Sequence, residues 1–270
     1  GRGGLAAEDA LNPAPGVMSQ PTRRQLLWLG AAAWAPPARA DLPAVIAATR
    51  GSVLPVGTYN ATSSPRFGFR GTGFVVGDGN LVATNFHVLP APGEVEGGPV
   101  MVVLSSRSES SVRRASIVAT DRAHDLALLR IEGAPLKPLP LEEPGQAREG
   151  QSVALLGFPI GGTLGFAPVT HRGIVASITT AALPAATSQS LDPRAVLRLR
   201  EGNYELLQLD ATAYPGNSGG PVVDADTGRV IGIVNMVLVK GSRESALTNP
   251  TGITYAVPVR HLHDLIKSVK

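Results

Sequence analysis

Short apolar runs, each closed by glycine, proline or small polar residues, constrain this chain more than any other feature. Residues 73–76 and 80–84 flank Gly77-Asp78-Gly79, a strong hairpin turn signal. Residues 100–104, 115–119 and 126–131 read as further strands. Residues 132–149 are rich in Pro, Glu and Gly and lack periodicity, which reads as a connector. Strand-like runs resume at 152–157, 173–178, 206–209 and 230–234. Leu262, Leu265 and Ile266 fall at i, i+3 and i+4, which predicts one terminal helix over about residues 259–267. Two runs of about six strands split by a connector predict an all-β fold. The expected architecture is two six-stranded antiparallel β-barrels plus the short C-terminal helix. The expected boundaries are 1–40 for a leader, 41–140 for the first barrel and 141–270 for the second with its helix. Residues 182–205 carry no clear element and read as a long surface loop.

Composition narrows the function classes. The 31 Gly and 23 Pro among 270 residues fit many turns and few long helices. The chain has no cysteine, which excludes disulfides, thiolate metal sites and a cysteine nucleophile. The formal charge is +3, yet residues 41–270 hold 20 Lys and Arg against 19 Asp and Glu. No basic stripe with interleaved aromatics remains, so nucleic acid is not an expected partner.

The first 40 residues read as a leader. Arg23-Arg24 precedes the apolar run 25–35, which ends at Ala38-Arg39-Ala40, an A-x-A-like cleavage site. Thr22-Arg23-Arg24-Gln25-Leu26-Leu27 resembles a twin-arginine export signal, and a Sec signal carrying two arginines is the alternative. Met18 is the expected start and Ala40 the last residue before cleavage. The apolar run is short for a membrane helix, which needs about 20 apolar residues, so no stable span is expected after leader removal. An exported chain, periplasmic or secreted, is the expectation.

The motif Gly216-Asn217-Ser218-Gly219-Gly220-Pro221 places a serine between glycines on a tight turn, where its hydroxyl is open. A serine hydroxyl is a weak nucleophile without a base, and the base needs a carboxylate to fix its tautomer. The Gly216 and Ser218 amides can supply oxyanion donors across one turn. Five histidines compete for the base: His87, His124, His171, His261 and His263. His87 ends a strand-like run, His124 and His171 sit in turns, and the last two belong to the terminal helix. Asp125, at the head of an apolar strand, competes with Asp121 and Asp210 for the carboxylate.

Six segments in order resemble the chymotrypsin-fold (trypsin-like) serine proteases, most of all the bacterial HtrA/Deg group. They are residues 71–76, 83–88, 120–129, 172–176, 209–211 with 215–221, and 252–258. The resemblance implies His87 as general base, Asp125 as its orienter and Ser218 as nucleophile. It implies an oxyanion hole of Gly216, Asn217 and Ser218, with Asn217 shaping the turn. It also implies a serine endopeptidase working through an acyl-enzyme, with no cofactor or metal. The expected partners are polypeptides, unfolded ones included, in extracytoplasmic protein quality control, and a homo-oligomer is compatible with this.

Departures from the family carry expectations of their own. Asn217 stands where digestive relatives carry an aspartate that binds a new N-terminal ammonium, so no such activation switch is expected. The PDZ-like peptide-binding domain of many HtrA/Deg proteins is not expected here. By the resemblance Thr212 lies at the base of the specificity pocket, with Val234, Asn235 and Met236 lining it. No negative charge is present there, so small or medium apolar side chains are the expected preference. Two other readings compete. Gly216-Asn217-Ser218-Gly219-Gly220 also matches the G-x-S-x-G elbow of α/β-hydrolases, with Asp224 or Asp226 and His261 or His263 as nominal partners. A proteolytically silent chaperone or scaffold on a protease fold is the other.

Overall fold

The computed structural model describes residues 41–91, 100–104, 111–159, 161, 166–180, 205–235 and 252–269. The expected leader lies outside the described residues, as does the expected loop up to Glu205, which opens a strand. The first barrel is formed by β1 (Val53–Tyr59), β2 (Phe67–Val76), β3 (Leu81–Asn85), β4 (Val100–Leu104), β5 (Val112–Asp121) and β6 (Leu126–Ile131). The second is formed by β7 (Ser152–Gly157), β8 (Val169–Thr180), β9 (Glu205–Asp210), β10 (Pro221–Asp224), β11 (Val230–Val234) and β12 (Ile253–Pro258). The orders β1-β2-β3-β6-β5-β4 and β10-β11-β12-β9-β8-β7 both close, so the two barrels expected from sequence are present. Closure satisfies the strand edges, which short strands of this kind require. Bulges between Val56 and Gly57, Ile117 and Ala119, Val175 and Ser177, and Val222 and Val223 turn the corners.

Three elements escaped the sequence reading, β12 among them. Helix α1 (Leu42–Thr49) reads LPAVIAAT, apolar on nearly all sides, so it shows no helical stripe. Strand β1 contains Pro55 and Gly57, residues that argue against a strand; Gly57 sits at the bulge. The terminal helix α2 (Val259–Lys267) forms where periodicity places it and buries Leu262, Leu265 and Ile266.

Strand alternation builds three cores from the same segments. Leu54, Val56, Val82, Val103, Ala127 and Leu129 fill the first barrel. Val153, Leu155, Val175, Leu209, Val222 and Val234 fill the second. Phe74, Leu126, Leu128, Leu156, Ile233 and Leu262 form a third cluster that spans both barrels and α2. Strand β6 is apolar at consecutive positions because both of its faces are buried. Each fully buried leucine contributes about 1.5–3 kcal/mol. This shared core fixes the ends of β3, β6 and β11 against one another, which positions the site.

Candidate active site

His87 and Asp125 flank the same end of one hydrogen-bonded pair of strands. Strand β3 stops at Asn85, and a short 3-10 turn over Phe86–Val88 carries His87 off its end. Strand β6 pairs with β3 and starts just after Asp125. Asp125 has φ +57°, the left-handed region that a non-glycine residue enters at a cost. Its carbonyl is held there by the Phe86 amide at 3.0 Å and by Asn85 Nδ2 at 3.0 Å.

Asp125 is only 6% exposed, and each carboxylate oxygen is engaged. Oδ1 accepts the His87 amide N–H at 2.9 Å. Oδ2 accepts His87 Nδ1–H at 2.6 Å and Asn235 Nδ2–H at 3.0 Å. A buried charge with three donors is stable where a bare one would not be. Proton placement on Nδ1 leaves Nε2 of His87 as the free base position.

The Ser218 turn belongs to the second barrel but is stitched to the first. Asn217 N–H donates to the Tyr214 carbonyl at 3.0 Å and Gly220 N–H to the Asn217 carbonyl at 2.9 Å. Thr72 of β2 reaches across: its N–H donates to the Ser218 carbonyl at 2.9 Å and its Oγ1 to the Gly216 carbonyl at 2.7 Å. Thr72 Oγ1 also accepts the Phe158 amide at 3.1 Å. Among the described residues, neither the Gly216 nor the Ser218 amide has an acceptor. Two unused N–H groups on one turn are suited to a developing oxyanion.

Glycine is required at two positions of this turn. Gly216 has φ +104°, and a Cβ on it would lie 2.3 Å from the Phe158 carbonyl oxygen. Gly219 has φ +84°, and a Cβ there would lie 2.2 Å from the Thr72 carbonyl oxygen.

Ser218 and His87 approach through their neighbours. A Cβ on Gly71 would stand 2.7 Å from Val88 Cγ2 and 3.1 Å from the Ser218 carbonyl oxygen. A Cβ on Gly219 would stand 3.0 Å from the Asn85 nitrogen. Among the described residues, no hydrogen bond joins Ser218 Oγ to the His87 ring.

The rival candidates go elsewhere. His124, in its turn, pairs with Asp121 at 2.6 Å and stacks on His261 of α2 at 3.6 Å. Burial pushes the Asp121 carboxyl up, but the His124 ring and N–H outweigh it and hold the group below its ordinary value. His263 bonds the Glu142 carbonyl at 2.9 Å. Asp210 is exposed. The Ser218 turn leads directly into the antiparallel strand β10, so the strand–turn–helix of a hydrolase elbow is absent and that reading is withdrawn.

The expected specificity pocket needs correcting. Val234 is fully buried in the interior of the second barrel and cannot line an open pocket. Asn235 is fully buried and turns its side chain to Asp125. Both follow from alternation at the end of β11: one side chain enters the barrel, and the next faces the first barrel. Met236 lies outside the described residues, and Thr212 is half-buried ahead of the turn. The sequence reading missed Thr72 as a tether and Asn235 as a donor to Asp125. The only signal for Thr72 was its place between Gly71 and Gly73.

Among the described residues, no group of three or more His, Asp or Glu is arranged to hold a metal ion, and no helix is long and apolar enough to cross a membrane. Closed antiparallel barrels with a His–Asp pair and a glycine-rich serine turn at their junction define the chymotrypsin-like architecture. The HtrA-type protease AlgW, solved with a decapeptide, matches with a TM-score of 0.62 at 20% identity, over 85% of this chain and 67% of that one. The Rv3671c protease in its inactive form matches with a TM-score of 0.58 at 20% identity, over 83% and 92%. The family model for the trypsin-like peptidase domain matches residues 71–233, and the chain belongs to that family. Its curated relatives include a probable periplasmic serine endoprotease DegP-like of Pseudomonas fluorescens, 28% identical over 74% of this chain and 35% of that protein. Serine protease HTRA2, mitochondrial, of Bos taurus is 31% identical over 73% of this chain and 35% of that protein. The chain thus spans about a third of the length of these relatives.

Proposed function

We propose that the chain is a serine endopeptidase that cleaves polypeptides through an acyl-enzyme, with Ser218 as nucleophile, His87 as base and Asp125 as orienter. The observation that carries this reading is the Asp125 carboxylate, bound at once by the His87 amide, His87 Nδ1 and Asn235. In the first step Ser218 Oγ attacks the substrate carbonyl carbon while His87 Nε2 takes the hydroxyl proton. The imidazolium is stabilised by Asp125, and the oxyanion accepts the Gly216 and Ser218 amides, with Asn217 shaping their turn. Collapse expels the amine, which takes its proton from His87. Water, activated by the same ring, then hydrolyses the ester. Thr212 is the proposed pocket residue ahead of the turn.

The DegP-like relative is named as periplasmic, and the arginine-headed leader fits the same destination. An exported peptidase acting on unfolded chains is therefore the proposed setting. The test is to incubate the protein with an unfolded protein and sequence the products. Cleavage that disappears in Ser218→Ala is expected. Intact substrate with the folded wild-type chain, and retained peptide binding, would favour the scaffold reading instead.

A further inference from the structure

Residues Arg122 to Asp125 turn the chain from β5 into β6, and the last of them is the carboxylate that holds His87. The turn repeats the pairing it serves. Asp121 Oδ1 accepts the His124 amide N–H at 3.1 Å, and its Oδ2 pairs with His124 Nδ1 at 2.6 Å. Asp125 binds the amide and Nδ1 of His87 in the same way, at 2.9 and 2.6 Å. One peptide bond, between His124 and Asp125, joins the two Asp–His couples. Asp125 itself sits at φ +57°, a conformation that persists only where its surroundings hold it.

The outer couple is held by the second barrel. The His261 ring of α2 lies on the His124 ring, with centres 3.6 Å apart and planes 19° apart. Burial first, then the charges of His124 and Arg260, bring His261 down to about 4 against the pull of Asp121 and Asp264. The ring is therefore neutral at pH 7 and can lie flat on a second imidazole without repulsion. Its Nε2 accepts the Arg260 Nε–H at 3.2 Å, and Arg260 Nη1 pairs with Glu205 of β9 at 3.1 Å. Leu262, the next residue of α2, is buried with Leu126 and Leu128 of β6 in the shared core. The start of the turn has a hold of its own, because the Arg122 guanidinium stands 5.0 Å over the ring of Phe86, the residue before His87.

We propose that His261 is a positioning residue: its stack on His124 holds the turn that presents Asp125, and through Asp125 it keeps the His87 ring in its working orientation. The terminal helix then belongs to the site although none of its side chains reaches the reacting atoms. This inference rests on the peptidase reading.

The test compares the full chain as wild type, His261→Ala and His261→Phe by steady-state kinetics on a peptide substrate. Fluorophosphonate labelling of Ser218 and proton NMR of the low-field His87 Nδ1–H signal run in parallel. His261→Ala should lose kcat about tenfold with KM changed less than about threefold, and its Nδ1–H signal should broaden. His261→Phe keeps a flat ring over His124 and should return kcat to within about threefold of wild type, with a sharp signal. A folded His261→Ala with wild-type kcat overturns the inference, as does His261→Phe as slow as His261→Ala. Failure of the folded wild-type chain to label overturns the peptidase reading and this one together; labelling with an unchanged rate in His261→Ala overturns this one alone. If His261→Ala does not fold, His124→Ala opens the stack from the turn side: the same loss of kcat supports the inference, and wild-type kcat overturns it.

Discussion

Asn235 Nδ2 donates to Asp125 Oδ2 at 3.0 Å, and this bond runs from the end of a strand in the second barrel to a turn in the first. It places a neutral donor beside a carboxylate that already holds His87. The barrel junction therefore does more than bring two halves together. It completes the hydrogen-bond shell of the carboxylate that holds His87.

Asn235→Ala removes that donor and leaves the His87 bonds in place. A hydrogen bond to a charged group contributes about 1.5–3 kcal/mol, so kcat should fall at least tenfold with KM changed less than about threefold. Asn235→Ser, which restores a short donor, should recover part of the loss. Steady-state kinetics on a peptide substrate checks both variants. An unchanged kcat in Asn235→Ala would show that Asp125 is oriented without it.

Thr72→Val keeps the shape and deletes the hydroxyl that donates to the Gly216 carbonyl and accepts the Phe158 amide. Two buried partners are left unsatisfied, at about 1–3 kcal/mol each. The variant should melt several degrees lower and lose activity about tenfold, through the turn rather than through the His–Asp pair. Thermal melts and fluorophosphonate labelling rates report the two effects separately.

The pairing of His87 with Asp125 was legible through the resemblance of their flanking motifs, which sit at strand ends. The barrels were legible too, since residues 100–104, 126–131, 152–157 and 230–234 are strands with the bounds read from sequence. Helix α1 was not legible, because a nearly all-apolar segment carries no stripe to mark its buried face. The pocket assignments of Val234 and Asn235 failed for a related reason. Local sequence cannot say on which side of β11 alternation begins, and only the pairing with β10 and β12 fixes it. The role of Thr72 depends on contacts with residues 158 and 216, far beyond any local window.

Gly216→Ala should be the most damaging change in the turn. The residue adopts φ +104°, and the new Cβ would collide with the Phe158 carbonyl oxygen at 2.3 Å. Backbone strain of this kind costs about 1–3 kcal/mol, before any displacement of the oxyanion donors. Peptidase activity should fall at least about 100-fold, a loss of about 2.7 kcal/mol in transition-state stabilisation. Wild-type rates from this variant would show that the turn is not the oxyanion site.

Stability should fall with acid through His261. Burial first, then the charges of His124 and Arg260, push this ring down to about 4 despite Asp121 and Asp264. Above about pH 6.5 the ring is neutral in both folded and unfolded chains and contributes nothing. Between about 6.5 and 4 the unfolded chain takes up a proton that the folded one refuses, so stability declines, by about 1–2 kcal/mol after allowing for partial exposure. Asp121 titrates below this window, since its folded pKa is under its ordinary value. Urea unfolding at about pH 7.5 and about pH 4.5 checks the decline, which His261→Phe should flatten. An equal decline in that variant would assign the acid sensitivity to other groups.

The measurement closest to the central claim is covalent labelling by a fluorophosphonate, with the modified residue mapped by mass spectrometry. Modification of Ser218 in the wild-type chain, slowed by orders of magnitude in His87→Ala, is the predicted result. A folded chain that remains unlabelled, or one labelled as fast without the imidazole of residue 87, would contradict it.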